Sequence, residues 1–193
     1  MIGSLKGEVL HKDLTTLILD VRGIGFQVVV GESLTSVVTV GQDLLLHTHL
    51  LVKQDGLDLY GFESLLVRDL FRKLMQVSGV GGKNALSLVD HLGASEIVFS
   101  IQGGDAKVLA QAPGIGMRVA SRIINDLDGK LDDLQIGDGL PEANDVKIKQ
   151  NAIQALTSLG YDGRTAGAAV NGSWIEGMDL EELVRRSLQR LNI

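Results

Sequence analysis

The chain repeats one short pattern. In residues 74–89 and again in 108–124, an apolar helix end runs into Gly-apolar-Gly, and alanine follows four residues after the second glycine. The two copies are Gly79-Val80-Gly81 with Ala85, and Gly114-Ile115-Gly116 with Ala120. A helix must end and another begin within about four residues. That requires a positive φ, which glycine takes without steric cost. Val80 and Ile115, between the glycines, are placed to drop inward, and the small Ala85 and Ala120 let the paired helices cross closely. The copies lie 35 residues apart, and a solenoid needs about three units. The span is therefore committed to a compact pair of helical hairpins.

Each corner exposes the first N–H groups of a helix, and a helix N-terminus favours an anion through those groups and its dipole. A basic residue stands two positions after each second glycine: Lys83 and Arg118. One Gly-x-Gly would read as an ordinary helix cap. Two copies with equal spacing and an equally placed cation read as helix-hairpin-helix corners holding DNA phosphates. The candidate residues are Gly79, Val80, Gly81, Gly82 and Lys83, then Gly114, Ile115, Gly116, Met117 and Arg118, with Arg122 one turn on. For Arg122 a solvated helix face is an equal alternative. Phosphate contacts carry no base sequence.

The net charge is −6 over 193 residues, and no long block is basic. Residues 1–62 hold 4 basic and 7 acidic side chains, residues 63–134 hold 8 and 9, and residues 135–193 hold 6 and 8. Binding must therefore come from arrangement, with cations gathered on one face. Contacts should be weak per subunit, salt-dependent and multiplied by assembly. There is no cysteine, so nothing points to an oxidising compartment. The start lacks a basic and apolar leader, and no apolar run is long enough for a bilayer. These features predict a soluble cytoplasmic protein with no membrane partner.

Residues 1–62 predict five strands, at 1–10, 15–21, 25–30, 43–52 and 57–62, rich in Val, Ile, Leu and Thr and separated by turn signals. Arg22-Gly23-Ile24-Gly25 marks one turn, and Asp55-Gly56 reads as a tight hairpin with positive φ. Five short strands predict an oligonucleotide-binding (OB) type barrel, with a small SH3-like barrel as rival. Residues 63–134 predict helices at 63–76, 84–91, 96–101, 106–111 and 117–127, with Ser95 and Asp105 as caps. Residues 135–145 carry Gly, Pro and acids without periodicity and read as a flexible linker. Residues 146–193 predict three helices, at 146–159, 164–170 and 180–191. Gly160 and Asn171-Gly172 are the expected stops, and Asp179 with Glu182 the expected cap. Leu156, Leu159, Tyr161, Val170, Leu183, Val184 and Leu188 would form a small core. Such a unit suits protein docking better than catalysis. The whole reads as an α+β multidomain chain.

Other constellations carry less. His47 and His49 share one strand face, but nothing nearby completes a metal site. There is no phosphate-binding loop motif and no nucleophile triad, so no cofactor, metal or catalytic residue is expected. Asp126, Asp128, Asp132 and Asp133 could suggest a nuclease, yet their place at a helix end fits a solvated acidic run. Single-strand binders stack bases on exposed aromatics. Phe26, Tyr60 and Phe62 sit where a barrel core would want them. Trp174 fits either a core or a partner anchor. A general duplex or single-strand binder, and a hairpin enzyme such as a glycosylase or nuclease, remain the alternatives.

With these blocks placed, the whole length resembles the RuvA family of Holliday-junction recognition subunits. The likeness rests on Met1, Ile2, Gly3, Leu5 and Gly7; Val21, Gly23, Gly25 and Phe26; Thr48 and His49; Asp55; Leu59-Tyr60-Gly61-Phe62; both hairpins; and Ala155, Leu156, Leu159, Gly160 and Tyr161. The resemblance implies a homotetramer built through the barrels, used singly or as two tetramers clamped on DNA. It implies an open, square-planar four-way junction, and hairpins on the duplex arms. It further implies a C-terminal unit docking the hexameric RuvB ATPase for branch migration in recombination and repair, with the RuvC resolvase as a further partner. The subunit itself hydrolyses nothing. The family's acidic pin at the junction centre falls here on Gln54 and Asp55, one acid where the family more often has two. Met117 likewise stands where the family usually has a basic residue.

Overall fold

In the computed structural model, which describes residues 1–131, 134, 144–175 and 177–191 (side chains of 144–147, 150 and 164 excepted), five strands close into a barrel in the order β1-β2-β3-β5-β4. They are β1 (Ser4–Lys12), β2 (Thr16–Val21), β3 (Ile24–Val29), β4 (Asp43–Val52) and β5 (Leu57–Phe62). All pairings are antiparallel except the closing one, β3 with β5. This is an OB-type barrel, as expected, rather than an SH3-like one. Alternation decides what faces in. Leu17, Leu19, Val28 and Leu46 are fully buried within the barrel, whereas their strand neighbours Ile18, Gln27 and Leu45 are partly or fully exposed.

Two of the barrel's glycines are steric requirements. A Cβ at Gly7 would collide with the Asp20 carbonyl on the neighbouring strand, and one at Gly61 would stand 2.6 Å from Val28 and 2.9 Å from Leu46. At Leu10 the register of β1 against β2 slips, a bulge of the kind that bends a strand round a barrel. Arg22 (φ 56°) and Gly23 (φ 86°) make the tight β2–β3 hairpin, in which both central residues need positive φ. The β4–β5 connection differs from expectation. It spans Lys53–Gly56, closed by the Lys53 N–H on the Gly56 carbonyl at 2.9 Å, and neither Asp55 nor Gly56 takes positive φ. A four-residue loop has room to turn without it.

Sequence periodicity does not reveal α1 (Glu32–Val37), which sits between β3 and β4. It is too short for a pattern, and its cap comes from elsewhere. The Asp90 carboxylate accepts from the Glu32 N–H at 3.0 Å and the Ser33 N–H at 3.2 Å. In α2 (Leu65–Leu74), Leu70, Phe71 and Leu74 are buried on one stripe. Phe71 lies against Phe62 (4.8 Å between ring centroids), Tyr60 (4.9 Å) and His49 (5.8 Å), so the helix packs on the outer face of β4 and β5.

The helix α3 (Gly82–Gln102) is broken at Gly93, where φ is 76°, so it reads as the two expected segments. α4 (Ala106–Leu109) is shorter than predicted, and Asp105 caps it through the N–H groups of Lys107 and Val108. α5 (Met117–Leu127) follows. The chain divides into compact units Met1–His91 and Leu92–Ile193.

Three helices, α6 (Asn144–Ser158), α7 (Gly163–Ser173) and α8 (Leu180–Leu191), surround Ala152, Leu156, Ala166, Val170 and Leu183. Phe99 of α3 is buried in that same cluster. Close by, Gly167 of α7 meets Gly103: a Cβ on Gly167 would stand 2.8 Å from the Gly103 α-carbon. Leu159, read as core, is 62% exposed, because the chain turns away at Gly160 (φ 97°). α7 runs through the expected stop at Asn171-Gly172, where the Arg190 guanidinium packs on Gly172 and donates to its carbonyl at 3.0 Å. Asp162 and Asp179 cap their helices through the N–H groups of Thr165 and Glu182. Residues 135–143, the body of the expected linker, and Asp132 and Asp133 lie outside the described residues.

Candidate nucleic-acid interface

The two glycine corners have the same internal geometry. Gly79 (φ 91°) and Gly114 (φ 83°) take the left-handed conformation, whereas Gly81 and Gly116 do not. The turns close through equivalent bonds, Val80 N–H to the Val77 carbonyl at 3.0 Å and Ile115 N–H to the Ala112 carbonyl at 3.1 Å. Val80 and Ile115 are buried, as are Ala85 in α3 and Ala120 in α5. The first intrahelical bonds are Ala85 N–H to Gly81 and Val119 N–H to Gly116, each at 2.9 Å. That leaves the amides of Gly82, Lys83 and Asn84 at one corner, and of Met117 and Arg118 at the other, without helical partners.

What surrounds each corner fits an incoming anion. Space outside Gly81 and Gly116 is open, with nothing within 4 Å of a Cβ added at either. Lys83 and Arg118 are exposed beside their corners. Met117 is 51% exposed, so an apolar side chain occupies a solvent position there. Arg122 is exposed one turn into α5. Gly82 has a second duty. A Cβ there would collide with the Tyr60 hydroxyl, so its α-carbon backs onto the barrel while its amide remains at the helix start.

Gln54 and Asp55 sit exposed at the tip of the β4–β5 connection. Sequence reasoning missed the residues behind that tip. Lys53 pairs with Asp58, and Asp58 also accepts from the Tyr60 hydroxyl at 3.3 Å. The hydrogen bond from Lys53 is the largest influence on the Asp58 carboxyl and holds it below its usual range, with Lys83 adding to the effect. The same bond raises Lys53. Strand alternation could have found this group, because Asp58, Tyr60 and Phe62 share one face of β5. His49 projects on that side of β4, opposite Tyr60, with its edge toward Phe71. Burial first, then Arg72 and Arg68, hold its imidazole below its ordinary value.

A closed OB-type barrel joined to paired helix-hairpin-helix corners defines a DNA-binding protein of a specific architecture. The family model described as the RuvA N terminal domain matches residues 1–61, and that of the SAM-like helix-hairpin-helix tandem matches residues 71–128. The chain is 37% identical over 200 residues to the Holliday junction branch migration complex subunit RuvA of Pseudomonas entomophila (strain L48), covering 98% of each chain. It is 36% identical over 198 residues to the protein of that name from Halorhodospira halophila (strain DSM 244 / SL1), covering 98% of this chain and 97% of that one. The chain belongs to the RuvA family.

Proposed function

We propose that this chain binds four-way DNA junctions as a homotetramer, holds them open and square-planar, and loads a RuvB-type hexameric ATPase for branch migration. In this reading residues 1–62 assemble the tetramer and frame the junction centre. Residues 63–134 hold the duplex arms, residues 135–145 tether, and residues 146–193 dock the motor. One or two tetramers engage the junction, and RuvC-type resolution follows on the same complex. Cleavage and ATP hydrolysis belong to partners.

The observation that carries this reading is the pair of corners. Each offers helix-start amides that lack helical partners to one phosphate, with Lys83 or Arg118 beside it and open space outside the second glycine. Gln54 and Asp55 would act at the junction centre, where a carboxylate repels crossing phosphates. Single-strand stacking is disfavoured, because Tyr60 and Phe62 are buried and Phe26 packs against the barrel core.

The test is a gel-shift comparison of a four-way junction, a linear duplex and a single strand. The junction is expected to bind tightest. Lys83→Glu or Arg118→Glu should weaken binding equally across arm sequences and flatten its salt dependence by about one per lost phosphate contact. Equal binding of all three substrates would overturn the proposal, and metal-dependent cleavage of any of them would favour a hairpin enzyme.

A further inference from the structure

The ion pair behind the pin joins two regions that the junction reading treats separately. Lys53 opens the β4–β5 connection. Its ammonium is held by Asp58, the first strand residue on that face of β5. The next residue on the face, Tyr60, donates its hydroxyl to the same carboxylate oxygen at 3.3 Å. Tyr60 is 2% exposed, and its ring is fixed 4.9 Å from that of Phe71. Its hydroxyl packs directly on Gly82, the first residue of α3 and the neighbour of Lys83. One buried ring thus holds a carboxylate between the cation of the pin loop and the helix-start amides of the first glycine corner.

We propose that Asp58 tempers DNA binding as a built-in anion that holds Lys53 in the DNA-free protein and competes with backbone phosphate at the corner of α3. The proposal rests on the reading that this corner faces DNA. The physical consequence is direct. Lys53 stays committed while Asp58 is charged, so it adds little to phosphate binding. A phosphate nearing Lys83 also meets a fixed negative charge close by, whose repulsion falls with added salt. Only Asp55 of the two tip residues is acidic, so Asp58 is a second carboxylate in the same hairpin. It is set back from the tip, on the Tyr60 hydroxyl that packs against Gly82. Its place is set by Tyr60, whose hydroxyl donates to it.

The experiment uses the full-length chain with Asp58→Asn, Lys53→Ala and the double variant, each titrated against a four-way junction and a linear duplex of the same arm sequence over a salt series. Asparagine keeps an oxygen for the Tyr60 hydroxyl, so the fold is retained and an unchanged melting midpoint verifies it. Asp58→Asn is expected to tighten junction binding roughly three- to tenfold at ~50 mM salt, with a steeper salt dependence and a smaller gain near ~200 mM. Lys53→Ala should matter little alone and cost several-fold in the Asp58→Asn background. The proposal is overturned if Asp58→Asn leaves affinity and salt slope unchanged, or if Lys53→Ala costs the same in both backgrounds. A parent chain that does not prefer the junction would sink the functional reading instead, and the linear-duplex arm would still report on Asp58.

Discussion

His49 shows how one side chain can tie the barrel to the helices that follow it. Its ring meets Phe71 of α2, and burial together with Arg72 and Arg68 disfavours its charged form. The folded protein therefore binds fewer protons here than the unfolded chain, whose histidines titrate near ~6.5. Stability from this site is fully present above that value and is lost as pH falls below it toward the depressed folded value. Urea midpoints should drop between about pH 7.5 and 5.5, above the main carboxylate range. His49→Gln should flatten that drop, and an unchanged slope would remove the argument. In the proposed reading, Gln54→Glu adds one negative charge per subunit beside Asp55 at the exposed β4–β5 tip. Junction binding at low salt should weaken, and the difference should shrink as salt rises. A variant that binds as tightly as the parent at ~50 mM salt would refute the electrostatic account of the pin.

At the level of elements, a glycine is worth more than its helix propensity suggests. Gly167 lies inside α7, where alanine normally stabilises by ~1 kcal/mol. Here the added methyl would stand 2.8 Å from the Gly103 α-carbon and 3.0 Å from its nitrogen. Both atoms are backbone and cannot swing aside. Gly167→Ala is therefore expected to lower the stability of residues 144–191, where propensity alone predicts a gain. Unfolding followed through Trp174, the chain's only tryptophan, reports on this region directly. Trp174 packs against the cluster with the Lys149 ammonium 5.2 Å from its ring centroid, and Lys149 pairs with Glu96 at 3.9 Å. Periodicity located α5 and α8 to within a residue or so, because their apolar stripes are long. It missed α1, whose cap is a carboxylate 58 residues away in sequence. It also ran α7 too short, because nothing local signals that Arg190 will cover Gly172.

At the level of the whole molecule, the C-terminal helices are more than a tethered bundle. Their core takes in Phe99, a residue within the hairpin tandem's own stretch of chain. If the proposed function holds, removing residues 146–193 leaves junction binding intact and abolishes stimulation of a RuvB-type ATPase. It also uncovers Phe99, so Phe99→Gln in the shortened chain should restore the solubility that truncation costs. Gel shift and ATPase assays on the two shortened chains check this, and loss of junction binding in both would overturn the assignment of DNA contacts to residues 63–134.

Sequence alone determined the alternating strands, the twin glycine corners and the family, because these depend on local period and on backbone conformations that only certain residues adopt. The barrel glycines Gly7 and Gly61 could be named from the chain, but their reason is a neighbour distant in sequence. Tertiary structure alone decided that Asp58 takes Lys53 as its partner, that Asp90 caps a helix it does not belong to, and that Phe99 fills a core beyond its own hairpins. Each is a contact between residues whose separation along the chain carries no period. Only folding, by setting distance and burial, brings such groups within a few ångströms and makes their charges and volumes count.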